Sequence, residues 1–563
     1  MYMEENQFDV VIFGTGLVES IVAAALSKAG YKVAHIDSNS YYGGDEASLS
    51  LDELVQWADG ISHTPDSSSR FQRVTRSTEV PSQARQYSIC LRPAVLSAMG
   101  PLISSLIMSG VAKYSGFRLL DCVSVYDGYG RAKSVPGSKE DIFKSKEISL
   151  IEKRRLMRFL TFAAADFVGK KEIEGKENMP FLEFLKSVFS LSEEVSTVIV
   201  YSLAFCMSST EPTIHCLHRL QKYLRSGGRY GPSPFLIGHY GGIGDIAQGF
   251  CRAAAVSGGV YILARQVTAI VQTRPSSIAT PENEDNSRST FNYAIDLEDF
   301  PDTLSCNLII SSPPYIPPDT RERASHLSPP SQIQSDVVCI ARCIAIIDQA
   351  LSIRTPESAT EDSSEQGSED TEASPQTLKS VPPDTAIVVF PPSSVSDGSM
   401  THSATALING EGSMSTPKGK SSHSEGIIYI ALPLSSVPEE SVSTESIVRP
   451  YLNALLLLGA DPPHTPVTPL FTTFYLETSP YNSPPSAPGT SSPNTDPSCI
   501  IPPTLPMVPL PDIPDEATTI AENTFKEAVK YLRSRRKSGD AEESEIAFWP
   551  PIPVEDEEED NDW

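Results

Sequence analysis

The N-terminal region carries the pattern that most restricts the fold of this chain: a strand, a glycine loop, a helix and a second strand. An apolar strand is predicted at 9–13 and a helix rich in alanine and aliphatic residues at 18–29. Gly30 follows that helix, where a left-handed cap residue is usual, and a second strand is predicted at 32–36. Two strands joined by one helix predict a right-handed crossover and parallel pairing. We therefore expect an α/β fold with a flavoprotein-like sheet of the FAD/NAD(P)-binding type.

The glycine loop departs from the dinucleotide-binding fingerprint at one position. Gly14 and Gly16 stand where such a loop needs a tight turn and a close approach to the pyrophosphate. The third position holds Glu19, whose carboxylate at the helix N-terminus would repel a pyrophosphate. Asp37 ends the second strand, near the position of a ribose-binding acid. We interpret the loop as vestigial, predict no cofactor and an empty flavin site, and expect a binding protein rather than a redox enzyme.

Composition narrows the classes of partner. The 563 residues include 44 basic and 71 acidic side chains, a formal net charge of −27. A field of that sign repels phosphate backbones and anionic lipid headgroups, so we expect no nucleic-acid partner and only transient membrane contact. The nine cysteines form no CxxC pair, and the chain shows neither a signal peptide nor a C-terminal prenylation motif. These features predict reduced thiols and a cytoplasmic (cytosolic) protein, and they leave nuclear residence open.

A helical block interrupts the α/β pattern. Apolar residues with helical spacing and a capping box at Ser149 predict an all-α domain inserted into the sheet domain. Later strands are predicted at 337–347, 386–390, 404–408, 427–432 and 470–475. The predicted organisation is a flavoprotein-like domain I at 1–136 and 228–478, disordered inserts at about 272–289 and 354–384, a helical domain II at 137–227, a Pro/Ser-rich extended linker at 479–515, and a C-terminal helix with an acidic tail at 516–563.

Three sequence blocks follow one another along the chain: Gly-Thr-Gly-Leu-Val-Glu at 14–19, Asp-Ser-Asn-Ser-Tyr-Tyr-Gly-Gly at 37–44, and a stretch at 229–252 that contains Gly-Asp-Ile-Ala-Gln-Gly-Phe-Cys-Arg. Together these blocks resemble one family, the Rab GDP-dissociation inhibitors and Rab escort proteins. The resemblance implies a flavoprotein-like sheet domain with an inserted helical domain. It also implies a non-catalytic protein that binds GDP-bound Rab GTPases.

The resemblance further implies where the Rab-binding surface lies. Carried over residue by residue, the candidates are Tyr41, Tyr42, Asp245, Gln248, Phe250 and Arg252. The family's Glu-Leu-Pro is Asp245-Ile-Ala here, so the carboxylate is kept with a shorter reach. The alternative for Arg252 is an ordinary surface ion pair, and the alternative for Tyr42 is a half-buried core tyrosine.

Two subclasses of this family differ in their role once Rab is bound. An escort protein presents Rab to the α/β heterodimer of Rab geranylgeranyl transferase and chaperones the prenylated product to membranes in vesicular transport, whereas a plain inhibitor recycles prenylated Rabs. The chain's length, its sequence around Cys90, and Phe181 at the escort subclass's transferase contact favour the escort type. The geranylgeranyl lipid would then lie in the helical domain, against residues such as Phe159, Phe162 or Val198. A core position is an equal alternative for Phe181. A flavin-dependent oxidase of the amine-oxidase kind is the competing function.

Overall fold

The computed structural model describes residues 6–63, 69–82, 87–136, 142, 148–239, 242–273, 291–329, 336–351, 353, 383–410, 425–458, 466–479, 495–535 and 546–551. The strands are β1 (Gln7–Phe13), β2 (Val33–Asp37), β3 (Ser48–Leu49), β4 (Phe71–Arg76), β5 (Ile89–Cys90), β6 (Leu96–Ser97), β7 (Phe117–Leu119), β8 (Cys122–Tyr126), β9 (Ala132–Ser134), β10 (Phe235–Gly238), β11 (Val260–Leu263), β12 (Val267–Gln272), β13 (Tyr293–Leu297), β14 (Leu304–Ser311), β15 (Ala324–His326), β16 (Cys339–Ile347), β17 (Thr385–Phe390), β18 (Ala404–Gly410), β19 (Gly426–Leu434), β20 (Phe471–Thr478) and β21 (Asp496–Ile501). The helices are α1 (Leu17–Lys28), α2 (Leu51–His63), α3 (Pro101–Ser109), α4 (Leu150–Ala164), α5 (Phe181–Phe189), α6 (Glu193–Val198), α7 (Thr213–Ser226), α8 (Ile243–Val256), α9 (Pro318–Arg323), α10 (Thr444–Leu458) and α11 (Ile513–Arg535). Within this described part of the chain, no helix combines the length and the apolar character needed to cross a membrane.

The first sheet has the predicted N-terminal unit at its centre. β1 pairs in parallel with β2 and with β14, and β2 pairs in parallel with β11, so the predicted parallel pairing is confirmed. The strand order is β11-β2-β1-β14-β13-β12, and β21 pairs with β14 and β15. Helices α1, α8 and α11 pack together against this sheet in one apolar core. The glycine loop and Asp37 therefore lie at the same edge, where parallel strands end.

The second sheet is built mainly from the later strands. Its order is β4-β20-β16-β19-β18-β17-β8-β9, and all neighbours are antiparallel except β17 and β8. The five later strand predictions are confirmed as β16 to β20. Both faces of these strands are buried, which explains their continuous apolar runs, since α10 packs on one face and the helical block on the other.

The helical block consists of α4 to α7 and a π-helical turn at Ile199–Leu203. Ser149 caps α4, because its Oγ accepts a hydrogen bond from the backbone N–H of Glu152 at 3.3 Å, as the capping box predicted. Phenylalanines from α4 and α5 fill the interior, and the rings of Phe159 and Phe189 meet edge to face at 5.0 Å. This interior is continuous with the core of the second sheet. The inserted helices and that sheet therefore share one apolar core.

The prediction of an extended linker at 479–515 is wrong for the described residues from 495 onward. Residues of β21 pair with β14 and β15, and Leu505 and Leu510 are buried in the cores. The high proline and serine content of this segment predicts a linker. Its apolar residues nevertheless stabilise the fold when they are buried, as apolar residues of other strands do. The predicted helix after it is confirmed as α11. Apart from their edges, the predicted inserts lie outside the described residues, as does the acidic tail.

Candidate functional site

One face of α8 borders a recess on the surface of the sheet domain. Asp245, Gln248 and Arg252 are spaced by three and four residues, so they share a helix face, and all three line the recess. Tyr42 lines it from the loop after β2. The recess has a volume of about 480 Å³. The structure thus brings together four of the six predicted Rab-binding residues.

Aromatic rings hold the polar groups of the recess in place. The guanidinium of Arg252 lies over the ring of Tyr114, 4.8 Å from its centroid, and among the described residues it does not form the surface ion pair given as its alternative. The ring of Tyr42 meets Tyr261 edge to face at 5.8 Å. Burial raises the pKa of the Asp245 carboxyl and of the Tyr42 phenol. The recess therefore offers a cation, a carboxyl group and aromatic surface within one patch.

Glycines allow the loop and the helix to approach each other this closely. Gly43 has a φ of +104°, and a β-carbon there would lie 2.8 Å from the Cα of Ala47. A β-carbon on Gly244 would lie 2.4 Å from the backbone nitrogen of Ser48. Real atoms do not approach so closely, so both positions require glycine. The start of α8 therefore packs directly against the segment that follows the Tyr42 loop.

The remaining two Rab-binding candidates lie elsewhere. Tyr41 points to the other side of its loop and lines the cavity beside the glycine loop, where burial raises its pKa to about 12. Phe250 is fully buried, and its ring stacks on Trp549 at 5.9 Å. The ring of Phe250 therefore supports α8 from its buried side, and a role of Phe250 in Rab binding stays a prediction. Sequence reasoning missed Tyr114 and Tyr261, which lie outside the quoted motifs.

The carboxylate of Asp37 is fully engaged by the protein itself. One oxygen accepts hydrogen bonds from the backbone N–H and the hydroxyl of Thr15 at 2.8 and 2.6 Å. The other accepts from the backbone N–H of Asn39 at 2.8 Å and from the Tyr315 hydroxyl at 3.2 Å. The Tyr315 ring lies over the loop, so that a β-carbon on Gly14 would be 3.1 Å from it. A ribose would have to displace these partners.

Two carboxylates occupy the N-terminus of α1. Glu46 accepts a hydrogen bond from the backbone N–H of Leu17 at 3.3 Å and pairs with Arg92 at 2.6 Å. Glu19 accepts a hydrogen bond from the Ser312 hydroxyl, and burial raises the pKa of Glu19 to about 7.

These residues do not fit FAD, the cofactor that this fold commonly holds. The cavity of about 560 Å³ beside the loop has room, but the Glu46 carboxylate already accepts a hydrogen bond from the helix N-terminus and would repel a pyrophosphate. We derive no chemistry through a flavin.

The helical block places its predicted contact residues in the core. Phe181 is 1% exposed and packs beside Phe159 and Phe184. The core position, which the sequence left open for Phe181, is the one observed, and the transferase contact of Phe181 stays a prediction that would require its ring to become exposed. Phe159 and Phe162 are also buried, while Val198 is partly buried at the edge of the same core. A lipid chain could reach these rings only if the helices separated.

Comparison with known proteins assigns the family. A family model described as GDI, GDP dissociation inhibitor, matches residues 3–355, more than half of the 563 residues. The chain belongs to the GDP dissociation inhibitor family. This GDI match includes the glycine loop, the Tyr42 loop and α8, so the candidate recess lies inside the family region.

Named relatives of this GDI-family chain come from animals and fungi. A Drosophila melanogaster protein named Rab proteins geranylgeranyltransferase component A is 38% identical over 283 residues, covering 46% of this chain and 54% of the relative. A Saccharomyces cerevisiae protein of the same name is 34% identical over 262 residues, covering 46% of this chain and 43% of the relative. The chain thus spans about half the length of the curated relatives it matches.

A solved structure supports the fold of the GDI-family chain. The crystal structure of a Rab GDI from Plasmodium falciparum superposes with a TM-score of 0.56 at 18% identity, covering 94% of this chain and 99% of the other. At this identity the similarity concerns the fold alone. The predicted class, a flavoprotein-like α/β sheet domain with an inserted helical domain, is confirmed.

Proposed function

We propose that this chain acts as a Rab escort protein. It binds GDP-bound Rab GTPases, presents them to the α/β heterodimer of Rab geranylgeranyl transferase, and accompanies the prenylated Rab to membranes. In this role it is a cytosolic, non-catalytic accessory subunit of the transferase. It carries no cofactor and contacts membranes only transiently.

The observation that carries the proposal is the recess on α8. Arg252, Asp245 and Tyr42 converge there from two motifs that are distant in sequence. Interfaces favour Tyr and Arg anchors in partly desolvated pockets, and this recess combines both with a carboxyl group. The names of the relatives supply the class of partner, since component A is named as part of a Rab geranylgeranyl transferase.

Protection of the lipid would need no catalytic group. Exposure of a geranylgeranyl chain to water costs about 0.8 kcal/mol for each CH₂, so any apolar shelter favours the complex. The helical block is the proposed shelter, through separation of the helices that now bury Phe159 and Phe162.

Replacing Arg252 by alanine is expected to weaken the binding of GDP-loaded Rab by about 10-fold, which is about 1.4 kcal/mol. The variant removes both the cation and its contact with Tyr114. Titration calorimetry with the full chain measures the affinity. The matched control is Arg131→Ala, because Arg131 is a 70% exposed arginine in the hairpin between β8 and β9. Equal affinities of the Arg252 variant and the unaltered protein would contradict the assignment of the recess.

A prenylation assay separates the escort function from its alternatives. Purified transferase, Rab and geranylgeranyl diphosphate are expected to give prenylated Rab only when this protein is added. Binding of Rab without support of prenylation would favour a plain GDP-dissociation inhibitor. A yellow purified protein with a flavin spectrum would favour the oxidase instead.

A further inference from the structure

Two cysteine thiols lie in contact inside the helical block, and the proposed function does not use them. The sulfur of Cys206, in the loop before α7, lies 3.3 Å from the sulfur of Cys216 in the first turns of α7. Both cysteines are buried, at 0% exposure. Sulfur atoms in a disulfide are about 2.05 Å apart, so a modest side-chain movement would join them.

A charged pair lies beside the two sulfurs. One guanidinium nitrogen of Arg219 is 3.6 Å from each sulfur, and the same nitrogen pairs with the carboxylate of Glu211. The other oxygen of Glu211 accepts hydrogen bonds from the backbone N–H groups of Met207 and Ser208. The side chains of Arg219 and Glu211 are 11% and 17% exposed, so only a small part of the charged side of the cluster reaches solvent.

The arrangement favours a dithiol over a metal site. Cys206, Cys216 and Glu211 have three ligand atoms within 4.8 Å of one another, as a metal would require. However, the Arg219 guanidinium contacts all three and carries the positive charge that a metal ion would bring. Glu211 is also committed to the loop backbone, so it could leave for a metal only by breaking that loop.

Within the pair, the two sulfurs have different roles. Cys206 donates its S–H to the sulfur of Cys216, and Cys216 lies near the positive end of the α7 dipole. Burial and this hydrogen bond raise the pKa of the Cys206 thiol. Cys216 accepts the S–H of Cys206 and lies beside the Arg219 guanidinium at the start of α7, so we assign it as the attacking sulfur and Cys206 as the thiol that resolves the intermediate.

We propose that Cys206 and Cys216 form a reversible redox site, closed to a disulfide by peroxides. The Cys216 thiolate attacks one oxygen of hydrogen peroxide, the O–O bond breaks, and hydroxide leaves and takes up the proton that Cys216 released, giving a sulfenic acid and one water. Cys206 then attacks that sulfur, the S–O bond breaks, and a second water leaves with the thiol proton. Two thiols and one peroxide become one disulfide and two water molecules, and an added thiol reverses the reaction.

The bridge would tie α7 to the second sheet. The loop that carries Cys206 is already hydrogen-bonded to the segment before β18, because the Ser403 hydroxyl donates to the Cys206 carbonyl and the Ser403 N–H donates to the Met207 carbonyl at 3.0 Å. A covalent bond from this loop to Cys216 extends the attachment to the helix. The oxidised form therefore holds the helical block more firmly against the sheet.

Mass spectrometry of the full chain tests the proposal. Both cysteines lie in one tryptic peptide, residues 187–219, and Met207 separates them. After hydrogen peroxide treatment and alkylation, that peptide is expected to lose two hydrogens and to carry no alkyl group. Cleavage after Met207 with cyanogen bromide should leave the two parts joined until dithiothreitol is added. Titratable thiols should fall from nine to seven.

Variants and a functional readout complete the test. Cys343→Ser, at a buried cysteine of β16, should leave the bridge intact, whereas Cys216→Ser should abolish it. Amide exchange across α7 should slow in the oxidised protein. Two outcomes would overturn the proposal: a peptide that stays doubly alkylated while added glutathione in the same tube is fully oxidised, or stoichiometric zinc in the purified protein that disappears in Cys216→Ser. The alkylation and the zinc content are measured first on the unaltered chain. Misfolding of a variant therefore does not affect these two results.

Discussion

Replacing Glu477 by glutamine is expected to lower the free energy of unfolding by about 3–5 kcal/mol, because the change breaks a buried ion network. Glu477 lies in β20 with its side chain at 0% exposure. Its two oxygens are 2.6 Å from Arg92 Nε and 2.5 Å from Arg342, and Arg70 lies 3.0 Å away. Glutamine keeps the shape but leaves guanidinium charges without their partner in the core.

The size of this loss can be measured by urea unfolding at neutral pH. Glu522→Gln is the control, since Glu522 is 39% exposed and pairs with Lys526 on the surface of α11, where such pairs contribute little. The arginines hold the pKa of Glu477 well below its usual range. The carboxylate's contribution is therefore present above the unfolded pKa of about 4.3 and declines only as the pH falls further toward the folded value. A loss no larger than that of the control would contradict the network.

Replacing Glu19 by glutamine is expected to raise the free energy of unfolding in mild alkali, whereas the change at Glu477 lowers it. Burial raises the pKa of this carboxyl from 4.5 to about 7, so the fold favours its protonated form. That preference contributes fully below pH 4.5 and is lost as the pH rises through 7. Glutamine imitates the neutral acid and still accepts the hydrogen bond from Ser312. We expect no gain at pH 4 and a gain of about 3 kcal/mol at pH 8.

Melting curves of both proteins across this pH range provide the measurement. The difference between Glu19→Gln and the unaltered chain should grow between pH 4.5 and 7 and then stay constant. Glu522→Gln again serves as a control, because an exposed carboxyl should give no such trend. A difference that does not vary with pH would show that folding does not raise the pKa of Glu19.

The sequence predicted local elements well and long-range contacts poorly. β1, α1, β2 and the later strands have strong periodicity or continuous apolar runs, so their positions follow from the pattern alone. Helical spacing could not decide which face of α5 is buried. The structure buries Phe181, Phe184 and Leu185 together. The segment before α11 is rich in proline, which predicts an extended linker, but its apolar residues Leu505 and Leu510 are buried in the cores.

In the candidate site too, the sequence predicts the local arrangement of residues but not the contacts between distant segments. Asp245, Gln248 and Arg252 share a face because of helix geometry, which the sequence contains. Tyr114 contacts Arg252 through packing between segments that are distant in sequence, so no local sequence pattern predicts this contact. The partners of Glu477 come from three separate strands or loops. Such contacts depend on the whole fold, so a single sequence does not reveal them.

In the crevice beside the glycine loop, the polar groups are bonded by the protein itself, and this affects what the stability of the protein depends on. A flavoenzyme is often less stable as an apoprotein, because ligand binding adds free energy in proportion to the logarithm of the ligand concentration. Here Thr15 and Tyr315 engage Asp37, and Glu46 occupies the helix N-terminus, so these contacts come with the chain itself. Under our proposal that the protein carries no flavin, its folded population should not vary with the vitamin supply of the cell. In the proposed escort role, that independence would keep the protein available whenever a Rab is synthesised.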